Sequence, residues 1–456
     1  MKAKRGLNVL LATLLCAATM SGCGDGNNSS RVASKDSSKT DLQFNLSGDY
    51  NFGGETILIK GFGGMGFQKE GSSDASDLEI QWKAEVEKKY NCKLELETLI
   101  PNDTQSSLVV RILSGDKVAD VIACHRLDVE KMRISGDLLL DLSKQTPINL
   151  NDDIWNKGLT ETLTYNDFVY GIYPERPDKI SVAMFFNKDL LESLNLESPY
   201  SLVENKQWNY ENFISYCQAA TTGDRYGVAF CGDGILTLFH NNGMQLITKQ
   251  ADGKMAYTAN NQANIDTITY LKQKLLTEKN MPDELPVTDY HTMFKEGKLL
   301  FITGPADYIV TENQWGSCDF EVGFLPIPIG PNGEDYSFLQ QQWPDVMCLT
   351  STNSNPERGA AIIQAYAECT RVVNQLRWED IENRWFGNDS EGFEVYKMLY
   401  TKAYYDYAIY DLGLYDLMYL PQKVFRQAET PVAATFEAQD SAMKSLVDDV
   451  YNRNMK

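Results

Sequence analysis

Between residues 54 and 124 the chain alternates strand and helix patterns, and this alternation constrains the fold more than any other feature. "GGETILIKGFGG" carries an apolar run at 56–60 that ends in glycines, the pattern of a short buried strand. In "SDLEIQWKAEVEKKY", Trp82, Val86 and Tyr90 recur at i, i+4 and i+8 on one helical face, and Ser76 with Glu79 has capping-box spacing. "KLELETL" then alternates Leu94 and Leu96 with Lys93, Glu95 and Glu97, the period of a half-buried strand. "SSLVVRILSGD" reads as a second helix and "VADVIAC" as a third strand. Strand, helix, strand, helix, strand predicts a parallel α/β sheet, on which ligands sit beyond the strand carboxyl ends.

Past Tyr170 the pattern resets. A proline-marked extended segment leads into an apolar strand and a helix start in "GIYPERPDKISVAMFFNKDLLESLNL". "QWNYENFISYCQAA" reads as a helix, "DRYGVAFCGDG" and "FKEGKLLFITGPADY" each hold a strand ending in a loop, and "FEVGFLPIPIGPNGED" is a strand with a proline-rich turn. Residues 355–451 read as mostly helical. A chain of 456 residues exceeds the size at which one hydrophobic core stops growing, so two lobes are expected.

The N-terminus stands apart from both. Lys2, Lys4 and Arg5 precede an apolar run at 7–20, which is too short to span a bilayer and ends at "MSGC". This is an export signal over residues 1–22, and "MSGC" resembles a bacterial lipobox in which Cys23 is lipidated. Residues 23–48, rich in Ser, Asn, Asp, Lys and Gly, have little to bury and read as a disordered tether.

Several classes of function are disfavoured. The formal charge of −21 repels nucleic acid and anionic lipid. Gly61, Gly63 and Gly66 match G-x-G-x-x-G, but a polar loop separates them from the next helix and no acidic residue closes the second strand at the required distance. Seven cysteines beyond the signal region, at 92, 124, 217, 231, 318, 348 and 369, lack metal-ligand spacing and read as buried unpaired thiols. His125, His240 and His291 are far apart in sequence, so neither a metal nor a cofactor is expected. No G-x-S-x-G, H-E-x-x-H or Cys/His motif points to catalysis.

The pieces "EVEKKYNCKLEL", "ILSGDKVADVI", "GDLLLDLSK", "FVYGIYPE", "FFNKDLLESLNLESP", "FKEGKLLFITG", "FEVGFLPIPIGPNG" and "NPERGAAIIQAY" come in one order over roughly residues 55–370. In that order the chain resembles the family 1 extracellular solute-binding proteins, the capture lipoproteins of ABC importers for sugars. The resemblance implies a two-lobed periplasmic-binding-protein-like (type II) α/β fold with a hinge, an interlobe cleft and a helical C-terminal part. Residues 49–175 with 326–378 are expected to form one lobe, and 176–325 with 379–456 the other. It further implies a non-catalytic monomer on the outer face of the membrane, anchored by its lipid alone, that captures a carbohydrate, an oligosaccharide, and delivers it to an ABC permease. A surface glycoside hydrolase and a sugar-binding protein serving a sensor kinase remain the alternatives.

A sugar site needs flat aromatic faces and a few placed polar groups. Position after strand ends and on crossovers singles out Phe62, Phe67 and Gln68 at the first glycine loop, Asp233 in "CGDG", Asp307 in "GPADY" and Trp343 in "QQWPDVM". The resemblance adds His125 and Arg126 after the third strand, and Tyr173, Glu175 and Arg176 in "YPERP", where the chain crosses between lobes. Trp208 and the tyrosines from 404 to 419 are expected to pack instead.

Overall fold

A computed structural model of the chain describes residues 43–61, 74–98, 105–340, 345–410, 414–427 and 430–452. All of them belong to one compact unit, Gln43–Lys456. The signal region with Cys23, and Phe62, Phe67, Gln68 and Trp343, lie outside the described residues.

The alternation at the start of the body forms the expected sheet. Strand Glu55–Gly61 lies between Cys92–Thr98 and Val121–His125 and is parallel to both. The fourth strand, Asp345–Cys348, was not part of that reading and runs antiparallel, with Asp345 opposite His125. Its direction follows from its origin, because it enters from the far lobe and so runs back from the edge at which the other strands end.

The period-2 pattern gives this sheet two buried faces. Ile57, Ile59, Val121, Ala123 and Met347 face helices Asp74–Lys89 and Pro356–Asp380. Ile122, Cys124, Val346 and Cys348 face the opposite way, with Leu108 and Ile112. Trp82, Val86 and Tyr90 are buried as their spacing predicts, and Trp82 Nε1 donates to the Ala365 carbonyl at 2.9 Å. The capping-box reading fails, however. The helix already starts at Asp74, two residues before Ser76, and Glu79 points into the core toward Arg377.

The second lobe is built on another four-stranded sheet, ordered Val322–Leu325, Ala183–Asn187, Leu299–Gly304, Tyr226–Ala229. Only the last pair is parallel. Trp208 is fully buried there, donating from Nε1 to the Pro326 carbonyl at 3.0 Å, so it packs as expected. The second face of the first sheet and both faces of this one belong to a single continuous core. That continuity makes two lobes one compact unit.

All seven cysteines of the body are free, and all but Cys318 are buried. Among the described residues no helix is long and apolar enough to cross a membrane.

Candidate functional site

Two crossings between the lobes run side by side. Ile172 and Met347 exchange backbone hydrogen bonds at 3.0 and 2.8 Å, joining the outgoing chain to the returning one. Ser181 Oγ donates to the Leu339 carbonyl at 2.6 Å a little further on. The outgoing crossing, residues 173–181, is fixed on its other side by Asn156 N–H to the Tyr173 carbonyl (2.9 Å) and Glu175 N–H to the Ile154 carbonyl (2.7 Å). Pro174 and Pro177 hold this stretch extended and remove donors that a ladder would need.

The polar side chains of this crossing are tied to one another and to the C-terminal half. Arg176 donates twice to Asp178, from Nε at 3.0 Å and Nη2 at 2.8 Å. Burial would raise the Asp178 carboxyl, but the Arg176 charge and hydrogen bond, with Arg377 beyond, hold it well below the usual carboxylate range. Glu175 accepts from Lys179 Nζ and, at 2.8 Å, from Tyr400 OH. Its carbonyl accepts from Asn374 Nδ2 at 2.7 Å. Arg377 donates to Asn374 Oδ1 and to Glu79 Oε1, both at 2.9 Å. Glu79 is buried, and burial raises its carboxyl against the opposing charges of Arg377 and Arg176. Tyr396 OH donates to the Pro177 carbonyl at 2.7 Å.

Around this chain stand the ends of both sheets. His125 closes its strand and precedes helix Arg126–Ile134. It is half-buried, and burial lowers its pKa, so it is neutral near pH 7. Tyr173 is linked electrostatically both to Asp178 on the crossing and to Asp345 opposite His125, although burial is the main reason its phenol is raised. On the second lobe, Thr303 Oγ1 accepts from Cys231 N–H at 2.8 Å and donates to the Cys231 carbonyl at 2.9 Å, which brings the loops carrying Asp233 and Asp307 together. Gly234 is needed for that approach, since a Cβ there would stand 2.3 Å from Thr303 Oγ1. Ala306 N–H then donates to the Ile180 carbonyl at 3.0 Å, seating the Asp307 turn against the crossing.

The structure therefore gathers Tyr173, Glu175, Arg176 and Asp307 about one crossing, with His125 at the adjoining sheet edge. Asp233 is buried at the start of helix Gly234–His240. Arg126 turns inward and is 1% exposed. Its guanidinium donates to the Thr162 carbonyl and, at 3.2 Å, to Thr162 Oγ1, and meets Glu130 at 3.5 Å, so protein groups occupy it. Asp178, Lys179, Asn374, Arg377 and Tyr400 were not singled out. Asp178 and Lys179 were legible as charges beside Arg176, whereas Arg377 lies some 200 positions away and carries no local signal. Of the C-terminal tyrosines expected to pack, Tyr404 stacks on His240, Tyr405 OH donates to Asn156 Oδ1 at 2.7 Å, and Tyr407 packs edge-on against Tyr451. Among the described residues no cluster of metal-ligating side chains occurs.

Two α/β lobes joined by paired crossings, with preordered polar groups where the lobes meet, define a binding protein of the two-lobed periplasmic type. The sequence agrees: a profile of the bacterial extracellular solute-binding proteins matches residues 75–368, well over half of the chain, and the chain belongs to that family. No curated protein matches by sequence. Among solved structures it resembles a cyclo/maltodextrin-binding protein complexed with maltotetraose (17% identity, 86% of this chain and 96% of that one, TM-score 0.60). It also resembles the cyclic α-maltosyl-1,6-maltose binding protein of Arthrobacter globiformis (14% identity, 87% and 100%, TM-score 0.64). A third likeness is an extracellular solute-binding protein of Staphylococcus aureus in complex with maltose (13% identity, 87% and 98%, TM-score 0.61). At these identities the likeness establishes the fold.

Proposed function

We propose that this protein captures a carbohydrate, an oligosaccharide, outside the cell and delivers it to an ABC-type permease by hinge closure, with no chemical step. One observation carries the reading. The crossing at 173–181 lies where the two sheets meet and presents a satisfied network of carboxylates, guanidinium groups and phenols, a surface preordered for hydroxyls. The carbohydrates in the related structures agree with it. On this reading residues 49–175 with 326–378 move against 176–325 with 379–456 about the paired crossings, a hinge movement of known type. Trp343 and Phe62 provide stacking faces, and Cys23 with the residues up to 42 holds the body at the membrane. Residues 43–48, expected to belong to the disordered tether, instead pack on the first lobe, where Leu46 is buried and Ser47 N–H donates to Glu368 Oε2 at 2.9 Å, because Leu46 gives this end of the segment an apolar group to bury.

The test is a thermal-shift and calorimetric screen of the purified chain against neutral mono- and oligosaccharides, with the sugars analysed afterwards. A ligand at 100 times its Kd adds about 2.7 kcal/mol to stability. The expected result is a saturable rise in Tm with one oligosaccharide class and full recovery of the sugar. Hydrolysed sugar in the recovered solution, or no shift across the panel, would overturn the proposal.

A further inference from the structure

We propose that this site discriminates by charge: it admits neutral and amine-bearing saccharides, rejects saccharides that carry carboxylate, sulfate or phosphate, and does so through Asp307. The inference rests on the carbohydrate reading above and adds the chemical class of the ligand.

Its basis is the state of every cation on the crossing. Arg176 gives two hydrogen bonds to Asp178. Arg377 is shared between Glu79 and Asn374. Lys179 is held by Glu175 and lies 4.4 Å from the centre of the Tyr400 ring. Each cation already has a protein carboxylate. An anionic ligand would meet Arg176 already neutralised by Asp178 and Arg377 by Glu79, and could claim the full charge of either only by displacing that carboxylate, a costly exchange where it is buried.

Asp307 stands in the opposite state. It is exposed on the short turn Ala306–Ile309, directly after strand Leu299–Gly304; Thr311 Oγ1 donates to its carbonyl at 2.8 Å, and no side chain among the described residues donates to its carboxylate. The turn is pinned to the crossing by Ala306 N–H to Ile180 carbonyl, two residues from Asp178. A ligand in this position therefore meets a carboxylate that no described side chain neutralises. Its hydroxyls can donate to both Asp307 oxygens in charge-assisted hydrogen bonds, and an ammonium group gains an ion pair. A ligand carboxylate meets like charge, and like-charge contact is among the strongest means of refusing a wrong partner. The net charge of −21 acts in the same sense on encounter, slowing the approach of anions.

The experiment uses matched oligosaccharides, so that stereochemistry is constant. Each neutral member of the panel is compared by calorimetry with the same chain oxidised to the carboxylate at C6 and with its 6-amino-6-deoxy counterpart, at low and high salt. For every neutral member that binds, the oxidised form is expected to bind at least tenfold more weakly at low salt, with the gap narrowing as salt rises, and the amino form at least as tightly. In Asp307→Asn the ratio of the two Kd values, oxidised over neutral, is expected to fall at least threefold, whatever happens to the neutral sugar alone; Asp307→Ser takes its place if Asn disturbs the turn. Oxidised sugars binding as tightly as neutral ones, or a ratio unmoved in a folded Asp307 variant, would overturn this inference while leaving carbohydrate capture intact. Failure of all neutral members would overturn the carbohydrate reading and this inference with it.

Discussion

Asp406 and His240 show how burial sets the charge of single residues in this body. They line one small pocket with Leu246, Leu339 and Tyr404. Asp406 accepts from Ala408 N–H at 2.8 Å and Tyr404 OH at 3.1 Å, yet burial pushes its carboxyl up to about 6. Burial pushes His240 down to about 4. The two shifts have opposite consequences. Between pH 4 and 6 the folded chain keeps the Asp406 proton and the unfolded chain has lost it, so Asp406 makes stability fall as pH rises, by about 3 kcal/mol in all. Over pH 4 to 6.5 the unfolded chain holds a His240 proton that the folded chain does not, so His240 makes stability rise. In the native chain the two largely offset. Asp406→Asn is therefore expected to give a Tm that rises with pH across this window relative to the native chain, and His240→Gln one that falls. Parallel melting curves for the variants and the native protein from pH 4 to 7 would refute the pairing.

At the scale of elements, helix Pro356–Asp380 ties the first lobe to the crossing. Its 25 residues extend about 37 Å. Near its start Arg358 donates to Asp120 at 2.6 Å, and Gly359 lets the helix approach so closely that a Cβ there would stand 2.5 Å from the Asp120 carbonyl oxygen. Near its end Arg377 reaches Glu79. Removing one partner of a buried pair leaves an uncompensated charge, so Arg377→Met is expected to cost about 3–5 kcal/mol in chemical denaturation, and Glu79→Gln added to it to restore much of that loss. Arg371 on the same helix pairs with Asp152 and Asp153 at the surface, and Arg371→Ala is expected to cost under about 1 kcal/mol. Equal costs at 371 and 377 would deny the distinction. The first two strands and the helices of residues 55–125 were legible because each buries one face at its own period, and strand Val121–His125, buried on both faces, because it is a short continuous apolar run. The return strand Asp345–Cys348 was legible as an apolar strand after Trp343, but a four-residue apolar run does not state which sheet it joins or in which direction.

For the whole molecule, the acidic charge and the N-terminal region bear on where the protein acts. A chain of formal charge −21 is repelled by anionic lipid, so on the lipoprotein reading it is the lipid at Cys23 that holds it at the membrane. On the lipoprotein reading, Cys23→Ala is expected to shift the protein from the membrane fraction to the soluble one, with ligand binding by the released protein unchanged. Continued membrane retention of Cys23→Ala would refute lipid anchoring at that residue.

By itself, the sequence determined what depends on neighbours a few positions apart. The strand and helix periods and the packing role of Trp208 rest on spacings of two to about twenty residues, whereas the crossing at "YPERP" was placed by the family resemblance. Tertiary structure alone decided which charges meet. Glu79 has the spacing of a cap but belongs to Arg377, Arg126 follows a strand end but turns inward to Thr162, and among the described residues the Asp307 carboxylate receives no side-chain donor while Arg176, Lys179 and Arg377 each have a carboxylate. Such pairings join residues up to 300 positions apart, and whether burial or a counter-charge prevails at each is set only once the chain has closed around them.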